Sequence, residues 1–253
     1  MKRVLFFLYG VTAYAVFFGA FLHVVGFTGN LGLIKTIDQG PESPPLAALS
    51  VNLLLLGLFG LQHSMMARRG FKQWWTRIVP EPVERSTYVL ISSLLLFFLI
   101  RQWRPIQGGI WDLADTVLGP VLSVLFWAGW LIVFSSTFMI NHFDLFGLRQ
   151  VYLYWKGREY TPLEFTAPGF YRYVRHPLML GFLIVFWSSP QMTWGRLIFA
   201  AGLTVYILIA LQLEEKDLKS VHGDAYENYR KRVSMLGFPL AAKDAKIPQG
   251  RPE

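Results

Sequence analysis

The sequence predicts an all-α fold, a polytopic integral membrane helical bundle with a C-terminal helical hairpin. Of its 253 residues, 53% are hydrophobic and only 16% are charged, whereas soluble domains usually contain about 25% charged residues. The apolar residues are concentrated in long uncharged blocks, and a helix needs about 20 such residues to cross a ~30 Å hydrocarbon core. Basic residues are abundant in alternate connections between the blocks, as in loops on the two sides of a membrane.

Four uncharged blocks come first along the chain and are predicted to be membrane spans. They cover residues 4–27, 46–67, 86–100 and 116–141. The third block is short, so we expect it to cross only if Arg101 snorkels and Trp103 anchors in the interface. The first block follows Lys2 and Arg3 and could instead be a signal peptide. Because it is longer than the about 7–15 apolar residues of such a peptide and lacks a clear cleavage site, we interpret it as a retained span.

Two shorter uncharged segments, residues 178–187 and 197–213, are predicted to form the arms of a helical hairpin. Turn-forming Ser, Pro and Gly residues lie between them. The first arm is short for a full crossing, and Gly181 and Gly202 can allow close helix approach. We therefore divide the chain into a four-span bundle (1–140), a C-terminal core with the hairpin (141–240) and a flexible tail (241–253).

The basic residues predict the orientation of the chain in the membrane. Twenty of the 24 Lys and Arg residues lie before the first span, between the second and third, after the fourth, or after residue 213. The positive-inside rule then predicts cytoplasmic N- and C-termini, and we expect a bacterial inner-membrane location. The net charge of +8 indicates attraction to the lipid bilayer, not nucleic-acid binding, and no obligatory protein partner is evident. Without cysteine, the chain has no disulfide, thiolate metal site or Cys nucleophile.

An Arg175-His176-Pro177 triplet opens the first arm of the hairpin. A helix beginning at Pro177 would point free N–H groups and the positive end of its dipole at an anion. Arg175 and His176 would add further donors. The alternative is an interfacial anchor followed by a proline in the first helical turn, where its missing N–H costs nothing.

Two adjacent acids, Glu214 and Glu215, close the second arm. Neighbouring residues in a helix point about 100° apart, so one acid can face a site while the other meets water or Arg230. A carboxylate at this boundary suits a cation, a ribose or an amine, although both acids could simply be solvated. We further expect Asp224 to cap a short helix, with Glu227 at its third position.

That short helix would place an aromatic flap, Tyr226 and Tyr229, over the mouth of the hairpin. The alternative for these tyrosines is interfacial anchoring. A basic helix start, an acidic helix end and an aromatic flap could together bind a zwitterionic ligand with an aromatic part.

The segments, in this order, resemble the C-terminal signature of the isoprenylcysteine carboxyl methyltransferase and phospholipid methyltransferase superfamily. The resemblance covers about residues 165–235 and rests on the Arg-His-Pro triplet, Gly181, the Glu-Glu pair and the Gly223/Tyr226/Tyr229 run. It implies a cytoplasmic site for S-adenosylmethionine. The residues expected to bind this cofactor are Tyr171, Arg175, His176, Pro177, Leu180, Gly181, Glu214, Glu215, Tyr226, Tyr229 and Arg230.

A narrower resemblance covers residues 141–151, 190–195 and 233–236. These segments look like those of a bacterial family of methanethiol S-methyltransferases, which make dimethyl sulfide. Leu178 departs from the small residue of many prenylcysteine enzymes, which makes a prenylated substrate less supported. The resemblance implies that methanethiol, as thiolate, attacks the sulfonium methyl of the cofactor, while the protein positions both and excludes water.

The predicted catalytic residues are His142, which would take the thiol proton, and Glu214 as the second candidate. Asp144 or Arg149 could orient His142, although His142 could also merely cap a helix end. The residues expected to contact the substrate are Arg149, Phe182, Phe186, Trp187 and Tyr206.

Two alternatives remain open at this point. The acceptor could be a lipid amine or a prenylcysteine carboxylate. Alternatively, His23 and His63, which lie within the first two spans, could ligate haem, or the protein could have a regulatory membrane role.

Overall fold

The computed structural model describes residues 1–32 and 35–237, and this part of the chain is predominantly helical. The elements in chain order are α1 (Lys2–Gly29), α2 (Pro45–Ala67), α3 (Arg69–Trp75), α4 (Glu81–Gln102), β1 (Gly109–Asp112), α5 (Leu118–Met139), α6 (His142–Leu145), α7 (Leu148–Trp155), a 3-10 turn (Gly169–Arg172), α8 (Pro177–Trp187), β2 (Gln191–Thr193) and α9 (Trp194–Arg230). The predicted tail, 241–253, and the last three residues of the predicted core lie outside the described residues.

Five of the described helices, α1, α2, α4, α5 and α9, are long and apolar enough to cross a membrane. They confirm the four predicted spans and the second arm of the hairpin, and the protein is a multi-pass integral membrane protein. We call the end of the bundle where α1 begins and α2 ends the N-terminal face, and the other end the opposite face. Large apolar side chains are exposed on the outside of the helices, for example Leu54 (73%), Leu61 (66%) and Leu131 (68%), as expected for surfaces solvated by lipid.

Trp103 is not an interfacial anchor, and that expectation was wrong. Its side chain is fully buried between Phe27 and Phe199, whose rings lie edge-on at 6.0 Å and 5.4 Å. The chain after α4 therefore turns toward the protein core at Trp103. The edge-on contacts with two aromatic rings stabilise this buried position.

The first arm of the hairpin is short, as predicted. α8 has 11 residues, which rise about 16 Å, and non-helical residues 188–190 follow it. They lead into β2, which pairs antiparallel with β1 at the opposite face. Irregular backbone at membrane depth must be buried in protein; Ser188 and Ser189 are each 6% exposed, and Trp111 donates a hydrogen bond to the Ser189 carbonyl.

An ion pair fixes the hairpin turn to the rest of the opposite face. The Arg196 guanidinium donates from Nε to Asp38 at 2.7 Å, and from Nη1 to the Thr28 carbonyl and the Ser189 hydroxyl, each at 3.0 Å. Thr193 donates to the other oxygen of Asp38. The start of α9 is thereby tied to the α1–α2 connection.

Close packing at glycine holds α8 against α5, and this prediction for Gly181 is confirmed. A Cβ atom at Gly181 would lie 2.9 Å from the Gly129 carbonyl oxygen, and a Cβ atom at Gly129 would lie 2.9 Å from the Gly181 carbonyl oxygen. A Cβ atom at Gly202 would lie 2.8 Å from the end of the Leu56 side chain of α2. The backbone contact between α5 and α8 requires residues without a side chain.

α9 continues past the membrane and kinks at Gly223, whose φ of 53° and ψ of −128° are not helical. The break at this residue agrees with the predicted start of a short helix. The predicted cap is not formed as expected, because the Glu227 carboxylate instead binds Lys219 at 3.2 Å and Arg230 at 3.0 Å.

We expect Gly181→Ala to lower the thermal unfolding midpoint in detergent, because the added methyl overlaps the α5 backbone, and overpacking costs about 1–3 kcal/mol. Gly57→Ala is the matched control, since a Cβ atom there meets nothing within 4 Å and alanine favours a helix by about 1 kcal/mol. Equal midpoints for the two variants would contradict this packing.

Candidate cofactor and acceptor site

A buried cluster of charged side chains joins the start of α8 to α9 at the N-terminal face. Arg175 Nε donates to Glu215 Oε1 at 2.7 Å, and Arg175 Nη2 lies 2.7 Å from the same oxygen. His176 Nε2 lies 3.2 Å from the same oxygen. The side chains of all three are less than 10% exposed. Glu215 pairs with Arg175 and His176 because the first turn of α8 and the end of the apolar part of α9 meet at the N-terminal face.

Arg175 is also bound to the C-terminal segment. Its Nη1 donates to the carbonyls of Arg230, at 3.0 Å, and Val233, and its backbone N–H donates to the Ser234 carbonyl. The guanidinium is therefore occupied by protein acceptors, and its structural role is to hold Glu215 and the chain after α9. Direct contact of Arg175 with a cofactor stays a prediction.

The two adjacent acids differ in exposure, as their 100° separation on the helix predicts. The Glu215 side chain is 8% exposed, whereas that of Glu214 is 45% exposed. Glu214 Oε2 lies 3.7 Å from His176 Nδ1. Arg230, the partner considered for the outer acid, instead binds Glu227. Glu214 is thus the acid of the pair that a ligand can reach.

Aromatic side chains cover this cluster. Tyr226 and Tyr229 pack with Phe165, whose ring lies 5.7 Å and 5.3 Å from theirs. Tyr229 donates to the Tyr171 carbonyl. Burial, and then the charge of Glu214, raise the pKa of Tyr171, so its phenol is protonated at neutral pH.

The donors and acceptors of this site fit S-adenosylmethionine, which has a carboxylate, an ammonium and a sulfonium. The Tyr226 hydroxyl is buried beside Glu215 but makes no hydrogen bond of good geometry to the described residues. A buried hydroxyl is rarely left unpaired. In the first turn of α8, the Leu178 and Met179 N–H groups also make no hydrogen bond within the described part of the chain, and they can bind an anion.

Two predicted cofactor residues of α8 have packing contacts instead. Gly181 faces the backbone of α5, as described above, and Pro177 is among the fully buried side chains. Leu180 is partly buried one turn into the helix. These residues can therefore affect a cofactor site through the position of α8. The packing of Gly181 against α5 holds the start of α8 beside Glu215.

His142 lies in a separate aromatic pocket. Its Nδ1 is 2.8 Å from the Thr137 hydroxyl and its Nε2 is 2.7 Å from the Tyr14 hydroxyl. Thr137 donates its proton to the Phe134 carbonyl, so Nδ1 must carry the proton and Nε2 must accept from Tyr14. Burial lowers the pKa of His142, which keeps the ring neutral at pH 7.

Neither residue expected to orient His142 does so. Arg149 binds Asp144 at 2.9 Å and the Thr161 carbonyl at 2.9 Å, and Asp144 also accepts from Tyr160. This ion pair fixes the loop after α7. No hydrogen bond or ring contact described for His142 involves the Arg175 cluster, so its role as base stays a prediction, as does substrate contact by Arg149.

Of the four bulky residues expected around the substrate, Phe182, Phe186 and Tyr206 belong to the main core cluster, whereas Trp187 does not. Phe182 and Phe186 stack at 5.8 Å within the main core. Trp187 is 39% exposed and donates to Thr204, which places it on the surface near the opposite face, one helix length from Pro177. Trp187 therefore does not line a cavity at Glu214. Tyr206 alone points toward the N-terminal face, where it accepts from Ser64.

The two histidines considered for haem are apart. His23 packs on Phe97 of α4, with ring centroids at 5.0 Å, while His63 contacts Tyr88 and Ser92. The described residues include no group of three or more His, Cys, Asp or Glu that could hold a metal ion.

The partners of His63 form a polar cluster that sequence reasoning missed. Tyr88 Oη lies 2.9 Å from His63 Nε2, and the Ser92 hydroxyl lies 3.2 Å from Nδ1. Gln62 binds Ser92 in turn. The sequence does show polar residues inside two apolar spans. It does not show that they meet, because only the packing of α2 on α4 brings them together.

Comparison with known proteins places the chain among relatives of known name. A family model described as NnrU protein matches residues 52–245. A methanethiol S-methyltransferase of Mycobacterium tuberculosis is 53% identical over 93% of this chain and 97% of that protein. One of Crocosphaera subtropica is 53% identical over 96% of this chain and 95% of its own length. Nurim of Homo sapiens is 31% identical over 90% of this chain and 94% of that protein. No solved structure matches the chain.

We expect Glu215→Ala to lower the free energy of unfolding by about 3–5 kcal/mol, because it leaves Arg175 buried without its partner. Asp217→Ala is the matched control on the same helix, since its ion pair with Arg68 is exposed and such pairs contribute about 0–1 kcal/mol. Chemical denaturation in detergent measures both. A loss for Glu215→Ala no greater than that for Asp217→Ala would rule out a structural role for the buried pair.

Proposed function

The chain belongs to the NnrU protein family, and we propose that it is a membrane-embedded S-methyltransferase that transfers a methyl group from S-adenosylmethionine to methanethiol. Relatives named methanethiol S-methyltransferase match almost the whole chain, which supports a membrane methyltransferase. We propose the donor, the acceptor and the residues that bind them from the chemistry of the site described above.

The observation that carries the proposal is the exposed Glu214 beside the buried Arg175–His176–Glu215 cluster. A carboxylate that lies where the apolar part of α9 ends, next to a buried hydroxyl and unpaired N–H groups, suits a ligand with both positive and negative groups. The same residues form the signature that resembles the methyltransferase superfamily.

When bound, S-adenosylmethionine supplies an electrophilic methyl group on a positively charged sulfur. Glu214 would lie beside this positive charge, and Glu215 is held in place by its contacts with Arg175 and His176. Tyr171, Tyr226 and Tyr229 close the site on its solvent side. The chain thereby orients the donor and excludes water, which is the main catalytic task in a direct transfer.

A small thiol suits the membrane part of the protein. Methanethiol is neutral and apolar enough to reach the site through the bilayer, and it needs no groove for a lipid chain. We further propose that the N-terminal face is cytoplasmic, in a bacterial inner membrane, since the donor is a cytosolic metabolite and the basic loops lie on that face.

Two variants test the donor site by calorimetric binding of S-adenosylmethionine. Glu214→Gln should weaken binding at least about tenfold, because a hydrogen bond to a charged group contributes about 1.5–3 kcal/mol. Tyr226→Phe should also weaken binding, since it removes the buried hydroxyl that lies beside Glu215. Asp217→Asn is the control. Unchanged affinity in both variants contradicts the assignment.

The acceptor is tested by product analysis with purified protein and isotopically labelled donor. Methanethiol, a prenylated cysteine and phosphatidylethanolamine are supplied in competition. Labelled dimethyl sulfide is the expected main product. Preferential labelling of the prenylated cysteine or of the lipid amine would overturn the small-thiol assignment while leaving the donor site intact.

A further inference from the structure

Three cationic side chains line one pocket at the opposite face of the bundle, far from the donor site. Within residues 1–32 and 35–237, the basic residues at that face are Lys35, Arg101, Arg104 and Arg196. Arg196 is paired with Asp38, and the other three surround a pocket of about 450 Å³ that no acid lines. Topology accounts for the cations of the basic loops. It does not account for three cations in one pocket of the face where cations are sparse.

The cations of this pocket have no anionic partner. None of the three makes an ion pair with an acid in the described part of the chain. Within the same residues, Arg101 and Arg104 form hydrogen bonds only through their backbone, although each guanidinium carries five N–H donors. Asp38, the nearest acid along the loop, is occupied by Arg196. The pocket therefore has an excess of positive charge and of hydrogen-bond donors.

Buried side chains hold the backbone around this pocket. Asn52 of α2 is fully buried; it donates to the Arg104 carbonyl at 2.7 Å and accepts from the Arg104 N–H at 2.9 Å. The Lys35 ammonium donates to the carbonyls of Arg101, at 2.9 Å, and Trp103, at 2.7 Å. Because an ammonium has three N–H donors, one is left for a ligand in the pocket.

The three positive charges are close enough to oppose one another. Burial, and then the charges of Arg101 and Arg104, lower the pKa of Lys35 to about 8. Gly40 leaves room beside the ammonium, since a Cβ atom at that position would lie 3.5 Å from Lys35 Nζ. An anion placed among the three cations would offset their repulsion. A phosphate fits best, because its oxygens can accept from both guanidinium groups and from the ammonium.

An exposed apolar stripe on α4 leads from the membrane-spanning part of the helix to the pocket. Leu94 is 53% exposed and Phe98 is 47% exposed. Arg101 and Gln102 follow on the same side of the helix, since residues three and four apart share a face, and both are exposed and line the pocket. An acyl chain can lie along this stripe while its headgroup is in the pocket. A free anion in water would make no use of the stripe.

We propose that this pocket binds the phosphate of an anionic phospholipid, with an acyl chain along the Leu94–Phe98 stripe. The guanidinium groups of Arg101 and Arg104 bind the phosphate oxygens, and Lys35 donates its third proton. Basic pockets between transmembrane helices suit lipid headgroups in this way. The bound lipid would join the connection between α1 and α2 to the end of α4, and the site does not depend on the proposed methyl transfer.

The test is native mass spectrometry of the full-length protein in a neutral detergent, with short-chain phosphatidylglycerol as the probe. Arg101→Gln and Arg104→Gln should each weaken binding at least about fivefold, the effect of one charge near anionic lipid. Arg77→Gln is the matched control, because Arg77 is an exposed cation without an ion pair at the N-terminal face; it should change affinity less than about twofold. Unchanged affinity in both pocket variants would overturn the proposal.

The headgroup and the acyl chains are tested separately with three further probes. Phosphatidylcholine, which has the phosphate but no net charge, should bind more weakly than phosphatidylglycerol. Glycerophosphoglycerol and inorganic phosphate, which have no acyl chain, should bind at least about tenfold more weakly. Equal binding of the two lipids would overturn the anionic site. Binding of inorganic phosphate as tight as that of the lipid would identify a site for soluble phosphate and overturn the lipid assignment.

The dependence of binding on pH gives a readout specific to Lys35. In the unaltered protein, affinity for phosphatidylglycerol should fall between about pH 7 and about pH 10, because Lys35 loses its charge over this range. Arg101 and Arg104 stay charged throughout, and Glu42, the next acid in the loop, stays ionised. Lys35→Gln should bind more weakly at pH 7 and lack this fall. If Lys35→Gln does not fold, the profile of the unaltered protein decides, and a flat profile contradicts the role of Lys35.

Discussion

The geometry of the N-terminal face depends on the buried ion pair between Arg175 and Glu215. It joins the start of α8 to the end of the α9 span, and through the Arg175 guanidinium it also holds the chain after α9. Such a pair is costly to desolvate, so it stabilises the fold little compared with apolar packing. Its contribution is one of position, since it fixes Glu215 and leaves the adjacent Glu214 exposed at the proposed donor site.

Packing between the membrane-spanning helices also holds the start of α8 beside Glu215. The reciprocal Gly129–Gly181 contact sets the distance between α5 and α8, and the Asp38–Arg196 ion pair fixes the far end of the hairpin. With both ends of α8 and the start of α9 held, the Arg-His-Pro triplet and the Glu-Glu pair meet at one level. The short α8 and the buried non-helical residues Ser188 and Ser189 form the first arm of this hairpin.

The spans and the hairpin could be predicted from the sequence because uncharged blocks and basic connections are local signals. Whether a given side chain is buried in the core or exposed on the surface was harder to predict. Trp103 was expected at the lipid interface but is buried by Phe27 and Phe199, and Trp187 was expected in a cavity but lies on the surface. The motif predicted that Arg175 and the acids would meet, yet not that Glu215 alone would pair with it. His63 and Tyr88, 25 residues apart, could not be joined without the contact of α2 with α4.

An experimental structure with S-adenosylhomocysteine bound tests the central claim most directly. The account predicts the ligand beside Glu214 and the Tyr226 hydroxyl, with Arg175 still paired to Glu215. A ligand carboxylate bound by Arg175, with the Arg175–Glu215 pair broken, would contradict it, as would a ligand bound away from this face of the bundle.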